Sequence, residues 1–435
     1  MISLNARLMA PLVALLCSAT LHGAHAQAAS AVGSNESKGS TTLTDLRHRA
    51  FQFFWFEANP TTGLVKDRAG NVHGDDYTVA SVAATGFGLA ALPVGVEHGW
   101  ISREQGERRA ATTLRFVRAK LAHEHGWLYH FVDQKDGQRV WRSEVSSIDT
   151  ALFVAGALLA GERFGGEVKS LADELYQRVD FQWMLTDGGA KPNETLLCHG
   201  WKPESGFLAS RWNNYSEHLL LSLLAIGSPT HPVPTNCWDV WERNVGEYKG
   251  FKTFACGPLF THQYSQAFID FRGKRDRRGF DYFESSVQAT KANRQFCIDQ
   301  SGSFKTYGSN VWGLSACDRP GGGYEAYGAP PGHEVHDGTV APWATVASVA
   351  FTPDLALRAV GFMSSEFHPR LWGRYGFSNG FNLDRDWFAD DVIGIDLGAA
   401  LLLIENHETG KVWSWFMRNP HIDRAMRSAG FPEGR

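Results

Sequence analysis

Apolar residues recur at helical spacing through most of the chain. Between residues 147 and 162, Ile148, Leu152, Ala155 and Leu159 fall at i, i+4, i+7 and i+11, one stripe of a helix. The same period runs through residues 46–56, 78–94, 103–122, 170–184, 215–226, 261–269, 282–297, 340–350, 353–367, 396–406 and 411–427. Alternation of the β type is confined to short pieces such as 127–132. Small residues crowd several apolar runs, as at 80–91, and allow helices to pack closely. The pattern predicts an all-α domain of about twelve helices, paired antiparallel and closed into a toroid. No sequence repeat supports a solenoid instead. Two long Gly- and aromatic-rich segments, 193–212 and 302–337, separate the helices. Long irregular loops in a compact domain usually carry function.

The N-terminus reads differently. Arg7 precedes an apolar run from Met9 to Leu21, and Ala24-His25-Ala26 supplies small residues for a cleavage site. This is the order of a secretory leader, and the run is too short to span a bilayer. A signal peptide is expected over residues 1–26 and a polar, flexible tether over 27–40, ahead of one domain spanning 41–435. The expected location is the periplasm or the outside medium. Cys17 follows Leu16, where a lipid-attachment site needs a small residue. No later run is long and apolar enough for a membrane helix, so no stable membrane insertion is expected. Five cysteines follow the leader: Cys198, Cys237, Cys256, Cys297 and Cys317. An odd count leaves at least one unpaired.

Charge narrows the partners. A formal net charge of −4 with interspersed Lys and Arg argues against nucleic acid. The basic run from Arg272 to Arg278 contains Asp276 and reads as a solvated loop. Aromatic residues make up 12% of the chain, 15 of them Trp. Their flat faces and polar edges suit sugar rings, and they also suit a large core. No zinc, phosphate-loop, dinucleotide or nucleophile-elbow motif is present, so no metal and no cofactor are expected.

Glycosidic hydrolysis needs two carboxyl groups, one to protonate the leaving oxygen and one to activate water or to attack. Glu217 opens an apolar helix pattern after Trp212, and Asn214-x-x-Glu217 also fits a capping box. Glu144 and Asp149 follow Trp141, and Ser146-x-x-Asp149 is again cap-like. Asp384, Asp386, Asp390, Asp391 and Asp396 are interleaved with Trp387 and Phe388. A helix-terminal role suits Asp396 equally well. Asp337 precedes another helix, as a cap or a substrate ligand. His262, Tyr264 and Arg272 mark a further polar-aromatic segment.

Several ordered blocks resemble the glycoamylase-like family, which includes bacterial endo-β-1,2-glucanases. They are Tyr215-Ser216-Glu217-His218, Gly227 to Pro232, Leu259 to Ser265, Ile269 to Gly273, Trp312-Gly313-Leu314, Ala326 to Pro331, Asp337 to Pro342, and the region from Gly376 through Asp396 to Gly410. The resemblance covers about residues 195–415 and is weaker before that. It implies an (α/α)6 barrel and an inverting hydrolase of β-1,2-glucan; a monomer is expected. It gives Glu217 the general-acid role and Asp390 or Asp391 the role of base, with Glu144, Asp149, Tyr215, His262, Tyr264, Arg272, Trp312, Tyr327, Asp337, Phe381 and Trp387 expected around the sugar. It departs at Ser146 and Asp149, where those glucanases carry an Asp and a Glu. That departure leaves room for another gluco-oligosaccharide linkage, exo action or an α-glucosidic substrate. A non-catalytic glycan-binding protein is the alternative outside the enzymes.

Overall fold

A computed structural model describes residues 38–40, 42–185 and 195–432. The expected leader and most of the expected tether lie outside the described residues. Residues 38–40, at the end of the expected tether, are helical.

The helices, in chain order, are α1 (42–56), α2 (Val82–Glu97), α3 (Arg103–Lys120), α4 (Ser147–Phe164), α5 (Gly166–Arg178), α6 (Leu219–Gly227) and α7 (Phe260–Phe268). They continue with α8 (Tyr282–Asp299), α9 (Pro342–Ala347), α10 (Pro353–Glu366), α11 (His368–Leu371), α12 (Gly394–Thr409), α13 (Lys411–Phe416) and α14 (Pro420–Ser428). Their burial sorts them into two layers. In α2 every residue from Val82 to Gly95 is buried, and α6 is buried throughout. A helix that is apolar all round belongs inside. By contrast α3 and α5 bury one stripe and are charged opposite it. The inner helices α2, α4, α6, α7 and α12 pack neighbour on neighbour, and α12 returns to α2 to close the ring. The sixth inner helix, α9, packs on α12. Outside them, α3 and α5 pack on α4, α14 on α6, and α10 on α9. This is the expected (α/α) toroid.

Small residues permit the tightest of these contacts. A Cβ on Gly156 of α4 would stand 1.8 Å from the Gly86 carbonyl oxygen of α2, so the two backbones touch there. The predicted pattern over 411–427 is two helices, because Pro420 cannot continue the turn begun at Lys411. The basic loop is not simply solvated: Asp276 is 5% exposed and accepts from Trp238 Nε1 at 3.0 Å and Tyr282 Oη at 2.6 Å.

Short antiparallel strand pairs, more numerous than the alternation pattern predicts, collar one end of the ring. Val79–Ser81 pairs with Phe131–Asp133, Val145–Ser146 with Gly200–Lys202, and Ala316–Asp318 with Tyr324–Ala326. Arg68–Gly70 pairs with Asp391–Ile393, joining the two halves of the chain. These strands lead into the N-termini of α2, α4 and α12, so the collar and the N-terminal ends of these inner helices share one face.

Candidate active site

Glu217 sits in the turn just before α6. The helix starts at Leu219 with His218 at its cap position, so the capping-box reading of Asn214 and Glu217 does not hold. Instead, Asn214 Nδ2 donates to Asn213 Oδ1 at 3.0 Å. Ser265 of α7 fixes the turn: its hydroxyl accepts from Leu220 N at 3.0 Å and donates to the Glu217 carbonyl oxygen. The Glu217 carboxylate accepts from the Ser216 hydroxyl, and among the described residues no cation pairs with it. Burial pushes its pKa up, and the charge of Asp149 adds to the shift. A half-buried carboxyl of this kind keeps its proton to higher pH than a free one.

A second group of acids is held by a cation. Arg68 donates to Asp318 Oδ2 and to Asp391 Oδ2, each at 3.0 Å. Asn379 Nδ2 donates to Asp318 Oδ2 at 3.0 Å and also to Asp391 Oδ1. Burial and the neighbouring Asp318 carboxylate push Asp391 up to about 7, against the pull of Arg68. Asp396, in the first turn of α12, accepts from Tyr264 Oη at 2.9 Å, while its Oδ2 is buried without a partner. Burial, Asp318 and Asp67 raise it to about 7 as well. Burial likewise raises the pKa of the neighbouring Asp67. Tyr324 is 47% exposed as a whole residue, yet burial of its hydroxyl and the charges of Asp396, Asp67 and Asp318 push its pKa well up.

His130 bridges the remaining acids. Its Nδ1 lies 3.0 Å from Glu144 Oε1 and its Nε2 3.3 Å from Asp149 Oδ1. Burial opposes its charge, but Asp149, Glu144 and Asp67 outweigh burial and raise its pKa. The hydrogen bond from His130 in turn holds Glu144 down at about 2. The predicted cap holds, with Ser146 Oγ accepting from the Asp149 amide at 3.3 Å, and the Asp149 carboxylate accepts from the Ser146 hydroxyl. Ser146 is thus the cap, and Asp149 stands in the first turn within reach of His130.

Two cavities adjoin these groups. One of about 530 Å³ is lined by His199, Arg211, Trp212, Asn213, Tyr215 and Ser216, beside Glu217. The other, of about 390 Å³, is lined by Arg68, Asp318, Tyr324, Trp387, Asp390 and Asp391. Asp390 is exposed and Asp391 is clamped, so the adjacent pair has two different environments.

Other expected residues are placed elsewhere. Arg272 is a correction: it lies beyond the C-terminus of α7, away from the collar, with its guanidinium 4.1 Å over Trp413 and paired to Asp270 at 2.9 Å. His262, Trp312, Tyr327 and Phe381 are corrected in kind: they are buried, with Trp312 and Phe381 at 0% exposure, and offer no open face to a sugar. Tyr215 is buried as well, but it lines the cavity beside Glu217. Tyr215 Oη and His262 Nδ1, 3.1 Å apart, brace the floor beneath Glu217. Burial lowers His262 to about 4, which suits a neutral ring that donates Nε2–H to the Cys256 carbonyl at 3.2 Å. Asp337 is not a helix cap, since α9 begins at Pro342. It accepts from Tyr327 Oη and Thr339 N, each at 3.0 Å. Of the acidic run, Asp384 anchors Lys305 N at 3.0 Å, and Asp386 pairs with Arg370. Sequence reasoning missed Arg68, Asp67, His130, Asp318, Tyr324 and Asn379. The five cysteines of the domain are free, and among the described residues no group of His, Cys, Asp and Glu side chains converges as metal ligands.

The Glycoamylase family profile matches residues 209–420, which include Glu217, Asp318, Asp391 and Asp396. A glucoamylase-like protein of Bacteroides uniformis superposes with a TM-score of 0.83 at 29% identity, over 91% of this chain and 98% of that one. The chain is similar to the glycoamylase-like family in sequence over residues 209–420 and in fold over most of its length. An endo-β-1,2-glucanase from Chitinophaga pinensis, solved with sophorotriose and glucose, superposes on this chain with a TM-score of 0.80 at 27% identity, over 91% and 99% of the two chains. An exo-β-1,2-glucooligosaccharide sophorohydrolase of Parabacteroides distasonis is 27% identical over 88% of this chain. The chain spans 57% of that relative's length.

Proposed function

We propose that this chain is an inverting glycoside hydrolase of β-1,2-linked glucan, with Glu217 as general acid and Asp391 as general base. One observation carries the reading: a half-buried, cation-free carboxyl and a cation-clamped carboxylate cluster flank the same collar. Glu217, neutral below its raised pKa, gives its proton to the glycosidic oxygen as the C–O bond breaks. A water on the opposite face of the sugar bonds to the anomeric carbon and loses a proton to Asp391. Arg68 and Asn379 aim that carboxylate, and lone pairs remain on both its oxygens. The exposed and unanchored Asp390 lacks that aim. The linkage rests on the Chitinophaga and Parabacteroides relatives.

The test is product analysis by proton NMR on linear β-1,2-glucan. Release of oligosaccharides with inverted anomeric configuration supports the reading, and binding without release would overturn it. Exo action is the second reading, favoured by the Parabacteroides relative, whose enzyme works from the non-reducing end. A single product size marks exo action, and a ladder of sizes marks endo action. We place the mature chain in the periplasm or medium. N-terminal sequencing of the exported protein should begin at Gln27, and an intact Met1 would contradict that placement.

A further inference from the structure

The hairpin that leads from Phe131 to Glu144 ends in an unusual feature. Trp141 is 62% exposed, and Trp141 and Arg142 both adopt left-handed backbone, with φ of 55° and 50°. Residues bearing a Cβ adopt that conformation at a cost, and such strain persists where the surroundings impose it. Here they do. Val140 N donates to the Phe131 carbonyl at 3.1 Å, Ser143 Oγ bonds both polar groups of Phe131, and Arg139 forks onto Glu204 at 2.7 and 3.0 Å. The loop is pinned, and a large flat ring is left facing solvent.

That ring is continuous with the cleft. It packs edge-on against Phe131 at 5.1 Å, and Phe131 stacks at 3.7 Å on His130, which holds Glu144 and Asp149. Tyr77 lies 6.4 Å from the same ring, and its hydroxyl is buried beside Arg68, Asp67 and Asp391, which ties the platform to the acidic cluster. Charged groups of both signs rim the platform: Arg142 beside Glu204, and Lys202 beside Glu144. A flat apolar face with donors and acceptors at its edge fits a neutral pyranose.

We propose that Trp141, with Tyr77, forms a sugar-stacking subsite where a glucosyl residue of a long glucan rests outside the reacting cleft. The proposal rests on the hydrolase reading for the identity of the ligand. Stacking on Trp141 binds long chains and leaves short ones untouched, so it sets a preference for chain length.

The test titrates the full-length Glu217→Gln protein with linear β-1,2-gluco-oligosaccharides of increasing length by calorimetry, with and without Trp141→Ala. Steady-state kinetics follow in the otherwise wild-type enzyme. Trp141→Ala should weaken binding of the longest oligosaccharides about tenfold and leave the shortest unchanged, with the kinetic loss in KM rather than kcat. Trp141→Phe should retain most of the affinity. Trp141→Gly relieves the left-handed strain, so it should lose the same affinity without lowering Tm, a combination that a merely structural tryptophan would not produce. Equal affinity at every length, or equal loss at every length, would overturn the subsite. So would the absence of glucan binding altogether. If the wild-type enzyme releases no sugar yet binds glucan with this dependence on Trp141, the hydrolytic reading fails and the subsite stands.

Discussion

Helix α12 carries an acid near each end, and the two could hardly be treated more differently. Glu405, towards its C-terminus, is fully buried. It accepts from Arg47 at 3.0 Å, contacts His98 Nε2 at 2.7 Å and accepts from Thr409 Oγ1 at 2.7 Å. Asp396, in the first turn, has one hydroxyl partner and one orphan oxygen, and its pKa is pushed up to about 7. Burial alone does not separate them. What separates them is whether the fold supplies a cation. The end of the ring opposite the collar pairs its buried acid with a cation, whereas the collared end leaves Glu217 and Asp396 without one and raises the pKa of both.

The largest expected effect sits at the collared end. Glu217→Gln keeps the shape and removes the donor, so kcat should fall about a hundredfold or more, with Tm unchanged or raised when kinetics and thermal melts are run side by side. At the opposite end the expectation reverses. Glu405→Gln leaves His98 facing an uncharged group and Arg47 with Glu408 alone, and should cost about 2 kcal/mol of stability in urea unfolding, with little change in kcat/KM of the folded protein.

Asp396→Asn sharpens the contrast further. The folded-state pKa of Asp396 is raised, so its contribution to stability is complete below the unfolded value and is lost as pH rises through about 7. The asparagine variant should therefore gain stability relative to wild type at pH 8, by on the order of 1 kcal/mol, and much less at pH 5. Melts at the two pH values check this.

Smaller effects should appear in the pH–rate profile. Arg68 lowers the pKa of Asp391 and Asp318 raises it. Arg68→Met should move the acidic limb to higher pH and Asp318→Asn should move it to lower pH, each by about one unit. Movement in the same direction would remove Asp391 from the base role.

The same contrast explains what the sequence could and could not disclose. The helices were legible from the spacing of their apolar residues, but the two layers were not: the single stripe read over 147–162 belongs to a helix that is buried on nearly every face. Glu217 was legible as a candidate, but its cap-like spacing with Asn214 was misleading, because the helix begins later, at Leu219. Arg68, Asp318 and Asn379 were not legible. They come together through the pairing of residues 68–70 with 391–393, and no local pattern encodes a partner so distant in the chain. Tyr324 had a usable signal in Gly321-Gly322-Gly323, whose positive φ values turn its hairpin. The aromatic residues were misjudged because composition does not distinguish a core ring such as Trp312 from an exposed one such as Trp141.

The central claim is that the uncompensated carboxyl of Glu217 performs the chemistry. It is tested most directly by measuring sugar release from linear β-1,2-glucan by the wild-type chain and by Glu217→Gln, both shown to be folded by equal Tm. The account predicts release by the wild type and a loss of about a hundredfold or more in the variant. Full activity in Glu217→Gln, or no release by the wild type, would contradict it.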